Sequence, residues 1–145
     1  MQDVRDALLV GKASDGSPVR RPLSPHLTVY RWTPTMAGSI LNRATGVALS
    51  VGSLMLVCWL VAAATGPTAY TTLQEFMHSP LGLLLLLGWT VALFYHLFAG
   101  VRHLAWDIGL GHGKDGLNRM SWVVFGATAI ATVLVWALAY MRLGG

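Results

Sequence analysis

The feature that most constrains this chain is the placement of its charges. Three stretches, residues 44–74, 76–101 and 120–141, contain no Asp, Glu, Lys or Arg. The hydrocarbon core of a bilayer is about 30 Å thick and is crossed by about 20 apolar helical residues. Trimming the polar ends leaves three predicted spans, at residues 44–65, 81–106 and 121–142. We therefore expect an all-α integral membrane protein with three transmembrane helices.

The composition supports this prediction and excludes several other classes. Only 11% of the 145 residues are charged, whereas an average soluble domain has about 25%. The chain is too apolar to be disordered and has too few charges to cover a water-soluble globule. Its single cysteine, Cys58, excludes an intrachain disulfide and a Cys-rich iron–sulfur site. The sequence has no P-loop, nucleophile elbow or HExxH motif, so we expect no nucleotide or hydrolase site.

Residues 1–33 are predicted to form a polar N-terminal segment, and residues 34–145 a three-helix membrane anchor. Residues 1–21 lack the apolar core of a secretory signal, and their three aspartates argue against a mitochondrial transit peptide. Thr33-Pro34 has the pattern of an N-cap followed by proline at the first helical position. The first helix is therefore expected to begin near Pro34.

Two further proline signals divide the region between the first two spans. Gly66-Pro67 is expected to end the first helix, and Ser79-Pro80 to begin the second span. Between them, Tyr70, Leu73, Phe76 and Met77 are expected to form a short apolar face along the membrane surface. The connection between the second and third spans, residues 107–120, is predicted to be a polar, flexible, glycine-rich loop.

The distribution of Lys and Arg predicts the orientation. Six of the ten lie in the first 43 residues, none in the 66–80 connection, two in the 107–120 connection and one, Arg142, at the C-terminal end; Arg102 lies just before the second connection. The positive-inside rule then places the N-terminus and the 107–120 connection on the cytoplasmic face. This asymmetry favours membrane orientation over nucleic-acid binding, and no nucleic-acid partner is expected.

The second span carries a polar stripe that suggests a haem site. At 100° per residue, His96, Gly100, His103 and Asp107 lie within about 60° of one another on one helix face. His96 is expected near the middle of the bilayer, where an ionisable residue is a functional candidate by default. Imidazole is an axial ligand of haem iron, and Gly100 would leave room for the macrocycle. The alternative is a histidine that only hydrogen-bonds a neighbouring helix.

A six-coordinate haem on His96 would need a ligand from a second polypeptide. His103 projects from the same side of the same helix about 10 Å away, so it cannot reach the opposite face of the haem. The other histidines, His26, His78 and His112, lie outside the predicted spans. His103 suits contact with a haem propionate; alternatively, it is an interfacial histidine paired with Asp107.

Ser39 and Arg43 are four residues apart and share a face at the inner end of the first helix. A hydroxyl and a guanidinium can together hydrogen-bond a quinone carbonyl, which gains negative charge on reduction. The alternative is an arginine that only sets the topology beside an interfacial serine.

Two motifs carry a resemblance to a known family. RPLSPHLTVY at residues 21–30, followed by SILNRATG at residues 39–46, resembles the N-terminal signature of the cytochrome b membrane-anchor subunit of succinate dehydrogenase. HxxxGVRHLxWDxG at residues 96–109 resembles the second signature of the same family. Together with the three spans, the resemblance extends from Arg21 to the C-terminus.

The resemblance implies one of two small membrane subunits, joined by a flavoprotein that oxidises succinate and by an iron–sulfur subunit. His96 matches the axial ligand of haem b, with the other ligand supplied by the partner anchor subunit. His103 matches a position near the haem propionates, and Ser39 and Arg43 match positions of the ubiquinone site. The sequence departs from the family at Asn42, where a histidine near the propionates is usual. That contact is expected to be weakened or replaced by an amide hydrogen bond.

The resemblance thus implies a membrane anchor that is not an enzyme by itself and that helps pass electrons from succinate, through iron–sulfur clusters, to ubiquinone. The expected location is a bacterial inner membrane, with the N-terminus cytoplasmic, rather than the mitochondrial inner membrane. One alternative is the anchor of a fumarate reductase, which works in the opposite direction. Another is a small membrane protein without a redox role.

Overall fold

In a computed structural model, residues 9–21, 30–111 and 113–143 are described. They form a two-stranded hairpin, β1 (Val10–Lys12) and β2 (Pro18–Arg20), followed by α1 (Pro34–Thr65), α2 (Pro67–His78), α3 (Pro80–Asp107) and α4 (Lys114–Leu143). The chain divides into two units, Met1–Trp32 and Thr33–Gly145. Residues 22–29 of the first family motif, which include His26, lie outside the described residues, as does His112.

The hairpin in the N-terminal unit was not predicted from the sequence. Its strands are antiparallel, with Val10 opposite Arg20 and Lys12 opposite Pro18. The turn is held by Asp15, whose Oδ1 accepts hydrogen bonds from Ser17 Oγ (2.6 Å) and Ser17 N (3.0 Å), and Gly16 takes a φ of +83°. These bonds, first that of the Ser17 hydroxyl, hold the pKa of the Asp15 carboxyl below its ordinary value. The strands are short because the segment lacks a run of alternating apolar residues.

The predicted helix boundaries at proline are confirmed. Thr33 Oγ1 accepts a hydrogen bond from Met36 N at 3.3 Å, and Pro34 is the first residue of α1. That helix ends at Thr65, and Gly66, with a φ of +136°, separates it from α2. Ser79 Oγ in turn caps α3 by accepting from Gly82 N at 3.2 Å.

The prediction for the connection between the second and third spans is wrong in part. The helix α4 begins at Lys114, so Gly116 and Arg119 are helical rather than part of a flexible loop. Asp115 in the first turn favours this early start because a carboxylate stabilises a helix N-terminus. Only residues 108–113 connect the two helices, and the turn uses Gly109 and Gly111 at φ of +88° and +78°.

The expected all-α fold with three membrane-spanning helices is confirmed. Three helices are long and apolar enough to cross a bilayer, Pro34–Thr65, Pro80–Asp107 and Asp115–Arg142. In the second unit, α3 is the central helix, because it packs against both α1 and α4 more extensively than those two pack against each other. The contacts are made by mostly small side chains, such as Gly38 on α1, Ala99 on α3 and Ser121 on α4, which let helix backbones approach closely.

Candidate functional site

The central helix α3 has two different faces in its C-terminal half. Ala92, Tyr95, Ala99 and Arg102, spaced three or four residues apart, are buried against the other helices. The predicted stripe is less buried than this face, since His96 is half-buried and both His103 and Asp107 are exposed. The stripe is therefore open to whatever lies beside this chain in the membrane.

His96 is held against α1 through one ring nitrogen. Its Nδ1 lies 3.1 Å from the backbone carbonyl oxygen of Asn42 and 3.3 Å from Thr45 Oγ1. The Thr45 hydroxyl already donates its proton to backbone oxygens of the preceding turn, at 2.7 Å to Leu41 O. Both neighbours of Nδ1 are thus acceptors, so Nδ1 must carry the ring proton.

The position of this proton determines the state of the other ring nitrogen, Nε2. With the proton on Nδ1, a neutral imidazole presents the lone pair of Nε2. Within the described part of the chain, Nε2 has no hydrogen-bond partner, and it is not one of the buried unsatisfied atoms. Metal-binding histidines usually have this arrangement, with one nitrogen fixed by a carbonyl and the other free to coordinate.

Two glycines shape the surroundings of His96. A Cβ at Gly46 would lie 3.2 Å from His96 Cε1, so the absence of a side chain lets the ring rest against α1. Ser50, one turn after Gly46, does not share this contact, because it is exposed and its hydroxyl donates to Gly46 O. A Cβ at Gly100, one turn after His96, would meet nothing within 4 Å, so the open face has room for a large flat ligand there.

The region around His96 also contains an unsatisfied amide. Asn42 is half-buried, and its Oδ1 is buried without a hydrogen-bond partner among the described residues. A buried polar atom without a partner costs free energy, on the order of 1–3 kcal/mol. The Asn42 oxygen is thus available to accept a hydrogen bond from a bound group or from a second polypeptide.

His103 does not form the ion pair with Asp107 that was considered as its alternative role. In the described residues its contact is with Trp106, whose ring meets the imidazole edge-on at a centroid distance of 5.1 Å. His103 is exposed on the same stripe as His96. Its imidazole is thus oriented by an aromatic ring and keeps both nitrogens available.

Ser39 and Arg43 lie one turn apart on α1, as the spacing requires, and no contact joins their side chains. Ser39 is half-buried and Arg43 is exposed. Neither side chain forms a hydrogen bond or ion pair within the described ranges, so both polar groups remain available to a ligand. Ser39 directly follows Gly38, which lies in a close contact between α1 and α3.

That contact includes Arg102, to which the sequence analysis gave no structural role beyond its place in the cation distribution and in the second family motif. Its side chain is 4% exposed. Nη1 donates to Ser121 Oγ on α4 at 3.0 Å, and the guanidinium carbon lies 4.7 Å from the centroid of the Trp106 ring. A Cβ at Gly38 would be only 3.0 Å from Nη1. One guanidinium therefore touches all three long helices.

Tyr95 completes this buried group, which we call the Arg102 cluster: Gly38, Tyr95, Arg102, Trp106 and Ser121. The Tyr95 hydroxyl donates to the carbonyl oxygen of Gly38 at 2.8 Å. Tyr95 directly precedes His96, and Gly38 lies one helical turn before Asn42. The cluster thus fixes α1 against α3 one turn from the Asn42–His96 contact. A signal was present in the sequence, because Ala92, Tyr95, Ala99 and Arg102 follow a helical spacing.

Comparison with known proteins agrees with this arrangement. The chain matches the family model described as succinate dehydrogenase/fumarate reductase transmembrane subunit over residues 17–135. It is 41% identical over 114 residues to the succinate dehydrogenase cytochrome b556 subunit of Paracoccus denitrificans, covering 79% of this chain and 88% of that protein. It is 39% identical over 117 residues to the cytochrome b556 subunit of Rickettsia conorii, covering 81% of this chain and 91% of that protein.

A mitochondrial relative is also similar. The succinate dehydrogenase cytochrome b560 subunit of Sus scrofa is 38% identical over 118 residues, covering 78% of this chain and 68% of that protein. The family-model match spans both motifs, the first two long helices and most of the third, and the matches confirm the resemblance seen in the sequence. The chain therefore belongs to the family of transmembrane subunits of succinate dehydrogenase and fumarate reductase, and is a subunit of an oxidoreductase complex rather than an enzyme by itself.

Proposed function

We propose that this chain is the haem b-binding membrane anchor of a succinate dehydrogenase and helps pass electrons from succinate to ubiquinone. The partners are a second membrane-anchor subunit, an iron–sulfur subunit and a flavoprotein subunit. The location is a bacterial inner membrane, with the N-terminus and the 108–113 turn on the cytoplasmic side, as the cation distribution favours.

The observation that carries the haem assignment is the state of the His96 ring. Nδ1 is fixed by Asn42 O, while Nε2 is left without a partner on an open helix face. Because His103 lies on the same face, and the other described histidine, His78, lies at the far end of α2, the second axial ligand comes from the partner anchor. Haem b, when bound, supplies a one-electron carrier between the iron–sulfur clusters and the quinone.

The residues around His96 have distinct tasks. Asn42 O and Thr45 hold the tautomer that exposes the Nε2 lone pair, and Gly46 lets the ring approach α1. Gly100 leaves the adjacent space free for the macrocycle. His103 is proposed to hold a propionate, and the Asn42 amide replaces the usual histidine as a weaker, uncharged donor.

Ser39 and Arg43 are proposed to bind a carbonyl of ubiquinone. The fixed guanidinium and the hydroxyl stabilise the negative charge that develops on this oxygen more than they stabilise the starting quinone. Support comes from their common helix position, from the lack of competing partners among the described residues, and from the family to which the chain belongs.

A fumarate reductase anchor remains the alternative in the same family, since the family model covers both enzymes. The named relatives above favour succinate dehydrogenase. The family match also argues against a membrane protein without a redox role.

The haem assignment is tested by replacing His96 in the assembled complex. His96→Ala is expected to abolish the low-spin b-type spectrum or leave a five-coordinate haem, because one axial ligand is lost. His103→Ala should keep six-coordination and change only haem affinity or potential. His78→Ala is the control, since His78 is exposed and bonds only to the Gln74 carbonyl of its own helix.

A second pair of variants tests the same site without removing a ligand. Gly100→Leu is expected to lower haem content, whereas Gly88→Leu, also open to its surroundings on α3, should not. The assignment is wrong if His96→Ala leaves the spectrum unchanged in a complex that still contains all its subunits.

A further inference from the structure

A second site lies between α3 and α4. It is a groove of about 300 Å³. Its lining is apolar except for two cations, Arg102 and Arg119; the apolar members are Phe98, Val101, Ala105, Met120, Val123, Val124 and Ala127. The groove therefore combines an apolar surface with positive charge.

The two cations lie at the same end of the groove. Arg102 is five residues before the end of α3 at Asp107, and Arg119 is five residues after the start of α4 at Lys114. From there the apolar lining continues along α4 to Ala127, about 12 Å further at 1.5 Å per residue. Charge is thus placed next to the 108–113 turn, and the apolar part runs into the membrane.

The charge of Arg102 is not neutralised within the described residues. Its hydrogen bond goes to a neutral hydroxyl, Ser121 Oγ, and its Nε is buried without a partner. Arg119 is exposed and also has no acidic partner in the described ranges. An uncompensated cation in a low-dielectric environment attracts anions strongly, and the exposed cation beside it is free to contact one.

The groove is separate from the proposed haem site. At 100° per residue, Phe98, Val101, Arg102 and Ala105 lie about 140–240° around α3 from His96. The groove therefore faces away from the side on which the second anchor subunit is proposed to supply its ligand.

We propose that this groove binds an anionic phospholipid. One acyl chain lies along the apolar lining of α3 and α4, and the phosphate group binds Arg119, with the buried charge of Arg102 behind it. Basic pockets between membrane helices on the cytoplasmic side select anionic head groups in this way. A free phosphate or a soluble carboxylate would use the cations alone and would leave the apolar lining without an occupant.

The test uses the complete purified complex, with its co-purifying subunits, after exchange into a neutral detergent. Phosphatidylglycerol and phosphatidylethanolamine with identical acyl chains are titrated, and bound lipid is counted by native mass spectrometry. We expect phosphatidylglycerol to bind more tightly. Arg119→Gln should lower its affinity about fivefold, the effect of one cation near the surface, and Arg119→Lys should retain most of it.

The matched control is Arg142→Gln, which removes an exposed arginine from the other end of α4. A phosphatidylglycerol carrying a diazirine on its acyl chain should label groove residues such as Val101 and Val123. Ala127→Leu should reduce that labelling by filling the groove, whereas Ala137→Leu, exposed and outside it, should not.

Four outcomes would overturn the proposal. The first is equal binding of the two lipids. The second is an equal loss of binding in Arg119→Gln and Arg142→Gln. The third is labelling that avoids the groove in the wild-type complex, which would mean that a partner subunit covers it; inorganic phosphate competing fully for the lipid would likewise indicate a simple anion site.

Discussion

Arg102 and His103 are neighbours in the sequence but lie in opposite surroundings. Arg102 is 4% exposed and contacts α1, α4 and a tryptophan of its own helix, whereas His103 is exposed on the face that carries His96. The same helix thus carries one polar group held inside the chain and one that faces outward. Arg102 therefore stabilises the packing of the anchor itself, whereas His103 is available to a ligand or a partner chain.

The difference has a physical origin. In a membrane, a polar side chain that faces outward meets no water with which to hydrogen-bond, so it requires a ligand, a partner or the interface. On the buried face, Tyr95 bonds to Gly38 O, and Arg102 bonds to Ser121. On the open face, His96 keeps Nε2 unpaired within the described part of the chain. Substitutions on the buried face should therefore lower stability, whereas substitutions of the available polar groups should lower ligand binding or activity.

The largest expected effect is at Arg43, an exposed residue with an available guanidinium. Arg43→Ala should lower succinate-to-quinone turnover about 10²–10³-fold, equivalent to about 2.7–4 kcal/mol, as for the loss of one oxyanion donor. Arg43→Lys keeps the charge but loses the planar fork, so its turnover should be intermediate. Turnover with a soluble acceptor that takes electrons upstream should survive. Equal loss of both activities would show that Arg43 only holds the complex together.

The next effect concerns the buried face, where Gly38 is in contact with Arg102. Gly38→Val should destabilise the anchor by about 1–3 kcal/mol, because added methyl groups would press on a guanidinium fixed by Ser121 and Trp106. The measurement is the midpoint of heat-induced loss of the assembled complex.

Gly88→Val is the matched control for this variant. Gly88 is an exposed helical glycine with nothing within 4 Å of its Cβ position, and the intrinsic cost of valine in a helix is similar at both positions. If both variants lower the midpoint equally, the tight packing around Gly38 is not what stabilises the anchor.

The smallest effect is expected from Tyr95→Phe. It removes the 2.8 Å hydrogen bond to Gly38 O but keeps the ring that stacks on Phe125 at 5.8 Å. The cost should be about 0.5–1.5 kcal/mol, the usual net value of one hydrogen bond. The same thermal assay checks it, and the haem spectrum should stay unchanged. A shifted spectrum would mean that the buried face also determines the ligand geometry at His96.

Much of the architecture was predictable from local sequence signals. Long charge-free stretches cannot remain in water, so the three spans follow from the bilayer thickness alone. Thr33-Pro34, Gly66-Pro67 and Ser79-Pro80 mark helix ends because proline lacks a backbone donor. At Thr33 and Ser79 the side-chain hydroxyl also caps an exposed amide. The stripe from His96 to Asp107 was also predictable, since helical geometry fixes which residues share a face.

The sequence patterns did not predict the structure of two polar regions, the start of α4 and the N-terminal hairpin. The glycines at 109–116 predicted a long loop, yet α4 begins at Lys114, because only Gly109 and Gly111 take positive φ. The hairpin at Val10–Arg20 depends on hydrogen bonds between Asp15 and Ser17, which are too short-range to appear in a hydrophobic pattern.

The sequence by itself determined the three membrane spans, the helix ends marked by proline and the residues on each helix face, because these depend on chain geometry and on transfer of side chains into lipid. Only the tertiary structure decided how α1 meets α3. That contact places Asn42 O on His96 Nδ1, frees Nε2, and buries Arg102 between Gly38 and Ser121. The reason is that lipid is as apolar as the helix surfaces, so the hydrophobic effect does not decide which helix faces pack together. Close packing and interhelical hydrogen bonds decide it instead.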